Sequence, residues 1–265
     1  NPIVWCARMD GTLLGFTYDR DQDVTAWHLH ELGGDSDANG TPAAVESVEV
    51  IPTPDGTSEE LWVIVKRYIN GATVRYVEYL KPYYEVGDDQ EDAYYVDCGV
   101  TYDSTAATTL TAIAPHAVGE TWTVLADGSA HPDVVVGAGG DIVLSRSASV
   151  VQAGYGYNSD MLTLRLEAGA ADGTAQGKTQ RIHRVSVRLL HTLGVQYGPS
   201  LDSLDEIIFR DAGDDLGTAV PLFTGDKSLN FPGGYGTNQL IALRSYQAFP
   251  TTVLAFMPQL HTQDR

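Results

Sequence analysis

Three aspartates near the start of the chain have the spacing that opens a calcium-binding loop. Asp19, Asp21 and Asp23 alternate with other polar residues, and carboxylates at such intervals supply the oxygen ligands that Ca²⁺ prefers. Val24 stands where an EF-hand requires glycine, and the distal glutamate of that motif is missing as well. An aspartate-rich turn between two strands accounts for the same residues. We therefore predict a turn without a bound metal, with these three aspartates as the residues that would hold one.

Two histidines share one face of a predicted strand. His28 and His30 alternate with Trp27 and Leu29, so both imidazoles point to the same side, because side chains alternate along a strand. Such a pair suits zinc, but no third ligand stands at a useful spacing in the sequence. We expect two exposed histidines opposite a buried face formed by the tryptophan and the leucine.

Paired carboxylates would suit a glycosidase, whose two catalytic acids stand about 5–10 Å apart. Four acids in predicted strands are candidates for such a pair: Glu46, Glu49, Glu78 and Asp97. In a chain with 35 acidic residues such pairs arise by chance, and we interpret these four as solvated surface charges. The sequence also lacks G-x-S-x-G, H-E-x-x-H and phosphate-loop motifs. It predicts a protein that is not an enzyme and needs no cofactor.

The charge of the chain bears on its partners. It carries 35 acidic residues against 16 basic ones, for a net charge of −19. Binding to a phosphate backbone requires clustered Lys and Arg, and the sequence offers one modest cluster, at Lys178, Arg181, Arg184 and Arg188. Nucleic-acid binding is therefore disfavoured. The longest apolar runs, such as 62–65 and 134–136, are far too short to span a bilayer, so we expect no membrane segment.

Tyrosine is abundant, with 14 residues that include three short clusters at 83–84, 94–95 and 155–157. Exposed tyrosines would bind sugars or a partner protein, whereas packing at strand edges is the simpler interpretation. The two cysteines, Cys6 and Cys98, both lie in apolar, strand-like sequence. A single pair could form a disulfide, but buried free thiols are favoured.

Turn signals and period-2 patterns recur along the whole chain and predict an all-β fold. The clearest element is a hairpin of strands 61–69 and 72–80, since the intervening Asn70-Gly71 tolerates the positive φ angles of a type I′ turn. Asp10-Gly11 and Asp127-Gly128 predict the same kind of turn. Residues 3–9, 12–18 and 24–32 form one predicted antiparallel meander. After a predicted loop at 33–42, strands 45–51, 61–69 and 72–80 form another.

Breaks in composition divide the chain into three predicted parts. Residues 1–92 comprise the two propeller-like meanders, and an acidic stretch near 87–92 ends them. Residues 93–178 are predicted to form a small β-barrel or sandwich, which ends in a loop at 169–177 without core-forming residues. Residues 179–265 form a C-terminal β region that packs on the preceding strands. It opens with a long buried strand at 181–191 and closes with a hairpin of 239–246 and 251–257.

Residues 4–19 read VWCARMDGTLLGFTYD and resemble the closing propeller-like repeats of short-tailed bacteriophage tail proteins of the tubular, nozzle or stabilisation type. Residues 45–80 are similar to a further unit of the same kind. GET at 119–121 with VLADG at 124–128 resembles a small barrel that such proteins carry. GTAQGK at 173–178 continues the pattern. The resemblance covers most of the chain and rests on strands and turns.

The resemblance implies a C-terminal fragment of a structural virion protein, made in the bacterial host cytoplasm and placed in the virion tail. Its partners would be copies of itself and other phage tail proteins, arranged as a ring. Genomic DNA would pass through the ring without specific binding. As an alternative, the chain would be a carbohydrate-binding or host-recognition β module, and a glycosidase fragment is a third interpretation.

The acidic runs suggest a role at the DNA passage. An acidic wall repels phosphates, whereas a basic one would hold the DNA. The candidates for residues that face this lumen or a partner are Asp88, Asp89, Glu91, Asp92, Asp214 and Asp215. A solvating charge spread over the outer surface is the rival interpretation.

Overall fold

A computed structural model describes residues 3–167, 174 and 177–263. Every strand pairing among them is antiparallel, and one sheet curls into a half-barrel. Two short 3-10 helices, Gln90–Asp92 and Pro115–Ala117, are the helices of this part of the chain. None of its helices is long and apolar enough to cross a membrane. The all-β prediction is confirmed.

The chain forms two compact units, Asn1–Tyr157 and Asn158–Arg265. The sequence placed its boundaries near 92 and 178, and neither coincides with this division. The division into parts 1–92, 93–178 and 179–265 stays a prediction. Of the predicted loop at 169–177, only residues 174 and 177 are among those described.

The first sheet of unit 1 contains β1 (Ile3–Ala7), β2 (Leu13–Asp19) and β3 (Val24–His30) in that order, which confirms the first meander. The predicted two-residue turn at Asp10-Gly11 is wrong. Arg8 N donates to Thr12 O at 2.9 Å, so the loop has three residues, and of these only Gly11 has a positive φ, at 90°. Such a loop is a turn closed by one left-handed residue. A Cβ at Gly11 would also overlap Ala44.

The second sheet contains β4 (Leu32–Asp35), β5 (Pro42–Pro52), β6 (Glu59–Ile69) and β7 (Ala72–Tyr79) in chain order. The predicted type I′ turn is confirmed, since Asn70 and Gly71 have φ angles of 48° and 78°. The predicted loop at 33–42 is partly wrong, because β4 pairs with the start of β5. Buried residues of the two sheets form one core: Leu13, Ala43, Val45, Leu61, Val63 and Val65.

The third sheet has the order β10-β9-β11-β8. Its strands are β8 (Asp97–Leu110), β9 (Thr121–Ala126), β10 (Ser129–Val135) and β11 (Ile142–Tyr155). Asp127 and Gly128 form the predicted turn, with φ angles of 46° and 69°. The sheet encloses its own core around Trp122, which has no solvent exposure. The predicted compact β structure after residue 93 therefore lies within unit 1.

Unit 2 contains two sheets. β12 (Ser159–Leu162), β17 (Ala242–Ser245), β14 (Val195–Ser200) and β15 (Ser203–Glu206) form one, in that order. β13 (Thr179–Thr192) lies between β16 (Phe223–Asn230) and β18 (Thr252–Gln263) in the other. The long buried strand is confirmed, since Ile182, Val185, Val187 and Leu189 of β13 are fully buried.

The predicted C-terminal hairpin is wrong. β17 and β18 follow one another in the chain but belong to different sheets. Phe249 and Pro250, which connect the two strands, are buried. β18 pairs instead with β13 over its whole length. The buried faces of β13 therefore determine the partner of β18, and the local turn does not.

Candidate functional site

The three aspartates of the calcium-like motif lie in a turn that they stabilise themselves. Asp19 Oδ1 accepts hydrogen bonds from the backbone N–H groups of Asp21 at 3.0 Å and Gln22 at 3.1 Å. Asp23 adopts a positive φ of 57°. Within the described residues, no three His, Cys, Asp or Glu side chains are grouped so that they would hold a metal ion. The geometry is that of the predicted turn.

The predicted orientation of β3 is wrong. His28 and His30 are half-buried, whereas Trp27 and Leu29 are 60% and 61% exposed. His28 Nδ1 and His30 Nε2 are 2.7 Å apart, and both rings contact Trp5 at centroid distances of 5.8 and 5.1 Å. Burial and the neighbouring imidazole lower the pKa of His30 to about 4. The pair is therefore an internal hydrogen-bonded contact.

The six acidic lumen candidates lie in loops of both units. Asp88 Oδ2 accepts from Glu85 N at 2.7 Å, and Asp89 and Asp92 are exposed at the ends of the first 3-10 helix. Burial and neighbouring carboxylates raise the pKa of Glu91. In unit 2, Asp214 Oδ2 accepts from Asp211 N at 2.7 Å and Asp215 Oδ1 from Gly217 N at 3.0 Å. Asp88, Asp214 and Asp215 therefore stabilise their own loops, and that any of the six acids faces a DNA passage stays a prediction.

A cleft of about 540 Å³ lies in unit 1 between β7 and β8. Each of these strands is the outermost one of its sheet, so two open strand edges border the cleft. Its volume is in the range of pockets that hold small molecules. Residues from several predicted strands and both tyrosine clusters 94–95 and 155–157 meet here: Tyr76, Glu78, Lys81, Tyr94, Asp97, Cys98, Thr101, His116 and Tyr157.

A buried ion pair underlies one side of the cleft. Arg67 is 1% exposed, and its Nε and Nη2 donate to the two carboxylate oxygens of Glu78 at 2.7 and 2.8 Å. Its Nη1 donates to Gly33 O at 2.5 Å, and its guanidinium lies 5.2 Å from the ring centre of Tyr155. Arg67 follows Val63 and Val65 on the inward face of β6. A charged residue in this alternating apolar series would have indicated a buried ion pair, and the sequence analysis missed it.

Asp97 completes the same network through Gly33. Its Oδ2 accepts from Gly33 N at 2.7 Å, so Asp97 binds the backbone N–H of Gly33 while Arg67 binds its carbonyl oxygen. Burial raises the pKa of Asp97 to about 6, against the opposing effects of that hydrogen bond and of Arg67. Of the four candidate glycosidase acids, Glu78 and Asp97 are the two that line the cleft. Glu46 pairs instead with exposed Arg75 on the surface.

Cys98 has a strained backbone, with a φ of 47°. Burial and the nearby Glu78 carboxylate raise the pKa of its thiol to about 12, so it stays protonated and is a poor nucleophile at neutral pH. Both cysteines are free and only half-buried, which differs from the buried thiols expected. His116 Nε2 lies 3.1 Å from Cys98 O, which requires the proton on Nε2 and leaves Nδ1 as an acceptor.

Aromatic rings and one ammonium group form the rest of the wall. Lys81 Nζ lies 4.1 Å from the ring centre of Tyr94 and donates to Thr101 Oγ1 at 3.3 Å. Tyr76 OH donates to His116 O at 3.0 Å. Burial raises the pKa values of Tyr94 and Tyr157, so both phenols keep their protons at neutral pH. The wall therefore combines ring faces with hydroxyl donors.

Comparison with known proteins finds no family model that matches the chain and no curated protein that matches it.

Proposed function

We propose that the chain is a non-enzymatic structural component of a short-tailed bacteriophage tail, which assembles with copies of itself as part of a ring around the DNA passage. One observation carries this proposal: the first sheet leaves a continuous apolar face uncovered. We name it the outer face of the first sheet, and apolar side chains at paired positions of its three strands compose it: Val4, Cys6, Leu14, Phe16, Tyr18, Trp27 and Leu29, with Thr25 opposite Tyr18 as a polar member.

The side chains of the outer face are exposed to solvent, and its aromatic rings pack against one another. Four of its side chains lie well in solvent: Val4 at 56%, Tyr18 at 48%, Trp27 at 60% and Leu29 at 61%. The Phe16 ring lies 4.7 Å from that of Trp27 and 6.4 Å from that of Tyr18. No charged residue occupies these paired positions, in a chain of net charge −19. A face of this kind is typical of an interaction surface.

The area of the outer face suits contact with a second copy. Its exposed side chains contribute roughly 400–500 Å², given that a large aromatic side chain carries ~150–250 Å². Two such faces buried together remove about 800–1,000 Å² from water, and the upper end of this range reaches the lower bound of a specific interface. An uncharged face also avoids the repulsion that the acidic remainder of two copies would produce.

The strands of the outer face are also those that carry the family resemblance. Residues 4–19, which resemble a closing repeat of phage tail proteins, supply β1 and β2. The second sheet repeats the feature, since Trp62 stacks on Tyr79 at 5.2 Å beside Val77, which is 67% exposed. Successive sheets with open apolar faces are what units stacked against neighbours would present.

Self-association can be measured directly. Sedimentation of the chain from low to high micromolar concentration is expected to show assembly, and electron microscopy is expected to show closed rings. Trp27→Lys places a charge on an exposed aromatic position of the outer face and is expected to weaken assembly at least tenfold. Leu216→Lys is the matched control, because Leu216 is 88% exposed and lies outside that face. A monomer at every concentration would contradict the proposal.

The acidic lumen is a separate part of the proposal. Asp88, Asp89 and Asp92 are exposed in unit 1, as a wall that repels phosphates requires. Fitting the chain into a tail reconstruction would show which groups border the DNA. Acids at the passage would support the proposal, whereas a lumen lined by Arg181, Arg184 and Arg188 would contradict it.

A further inference from the structure

We propose that the cleft between β7 and β8 binds a neutral oligosaccharide. This site is independent of the assembly surface, because none of the outer-face residues lines it. Three features of the cleft support the inference: its balance of charge, its aromatic walls and its free hydrogen-bonding groups.

The charges of the cleft cancel. Arg67 holds both carboxylate oxygens of Glu78, and Lys81 and Asp97, which carry opposite charges, both line the cleft. A chain of net charge −19 therefore contains a pocket with no net charge. Anionic ligands would meet Glu78 and Asp97, and cationic ligands would meet Lys81 and the positive charge of Arg67 beneath the cleft, so a polar ligand without charge is favoured.

The walls present aromatic rings next to polar groups, and the Lys81 ammonium covers one face of the Tyr94 ring, which leaves the other face and the Tyr157 ring for a ligand. Tyr94 and Tyr157 both line the cleft, and each offers an apolar ring together with a hydroxyl group. A pyranose has the matching character, because one face of its ring is formed by C–H groups while hydroxyls project from its rim. The negative face of an aromatic ring attracts such C–H groups. Purely apolar ligands would leave the polar groups of the cleft unpaired.

Several donors and acceptors remain for a ligand. The Lys81 ammonium has three N–H donors, and one of them is engaged by Thr101 at 3.3 Å. Nδ1 of His116 is an acceptor, as its Nε2 donates to Cys98 O. Donors and acceptors in alternation suit sugar hydroxyls, since each hydroxyl both donates and accepts. The volume of about 540 Å³ accommodates a short oligosaccharide.

An array of neutral and anionic oligosaccharides tests the inference with the whole chain, followed by calorimetric titration with cellotriose, maltotriose, chitotriose and sialyllactose. We expect at least one neutral trisaccharide to bind, and sialyllactose to bind at least tenfold more weakly. Absence of binding by every neutral sugar at millimolar concentration would overturn the inference. Capture of extended peptides at the open strand edges, without sugar binding, would overturn it as well.

Two variants place the binding in the cleft. Tyr94→Leu removes a ring face, and Lys81→Gln removes the ammonium without changing the core; each is expected to reduce affinity about tenfold. Tyr235→Leu is the matched control, since Tyr235 also lies beside a cation, 5.6 Å from Arg181, but belongs to unit 2. Thermal unfolding confirms that each variant is folded. Equal affinity of Lys81→Gln and the unmodified chain, together with a folded Tyr94→Leu variant that binds normally, would overturn the inference.

Discussion

Replacement of Arg67 by methionine isolates the contribution of the buried ion pair beneath the cleft. Methionine keeps an unbranched apolar stem of similar length but loses the three hydrogen bonds that Arg67 donates to Glu78 and Gly33. Glu78 is 17% exposed, so its charge would stay largely out of water without a partner. Gly33 O would lose its side-chain donor at the same time.

The loss expected from this change is large. Removal of one partner from a buried pair costs about 3–5 kcal/mol, because the remaining charge is uncompensated. Arg75→Met is the matched control on the adjacent strand. Arg75 makes the same two-pronged contact with Glu46, at 2.6 and 2.9 Å, but its side chain is 56% exposed. Water replaces the partner there, so we expect no measurable change in stability.

Urea unfolding followed by tryptophan fluorescence measures both variants. All four tryptophans, at positions 5, 27, 62 and 122, belong to unit 1, so the signal reports the unit that contains Arg67. The midpoint should fall strongly for Arg67→Met and stay unchanged for Arg75→Met. A double variant, Arg67→Met with Glu78→Met, should recover part of the loss because no charge is left unpaired. Equal midpoints for the two single variants would refute the reasoning.

Three further predictions concern the turns and the histidine pair. Gly71→Val should destabilise unit 1 by about 1 kcal/mol or more, since a β-branched residue resists the positive φ at a site where no neighbour would obstruct its Cβ; an unchanged urea midpoint would exclude the type I′ turn. Gly11→Ala should destabilise more than Gly40→Ala, as both have positive φ but only Gly11 faces Ala44; equal losses in thermal unfolding would contradict this packing. The lowered pKa of His30, about 4 instead of 6.5, means that the unfolded chain takes up the proton first. The stability that the neutral His30 contributes is therefore complete above about pH 6.5 and is lost as the pH falls towards 4. After allowance for the partial exposure of His30, this loss is about 2 kcal/mol. His30→Gln should remove this part of the acid sensitivity, and a variant with the same pH profile as the unmodified chain would refute it.

Local chemistry accounts for what the sequence predicted correctly. The φ angles that Asn70-Gly71 and Asp127-Gly128 adopt are properties of those residue pairs, and the alternation of 61–80 is a property of the strand itself. These features need no knowledge of the rest of the chain. The all-β class and both meanders follow from them.

Contacts between distant segments decided the rest. β3 carries apolar or aromatic groups on both faces, so its alternation did not reveal which face would be buried. His28 and His30 contact Trp5 and each other on the half-buried face, and Trp27 lies on the exposed one. β18 pairs with β13, which lies 60 or more residues earlier, because the buried face of β13 outweighs a local turn. The cleft likewise brings together residues 76–81, 94, 96–99, 101, 116 and 157. The sequence contained each of these groups, but only the arrangement of the sheets brought them to one place, since burial and proximity are properties of the folded chain.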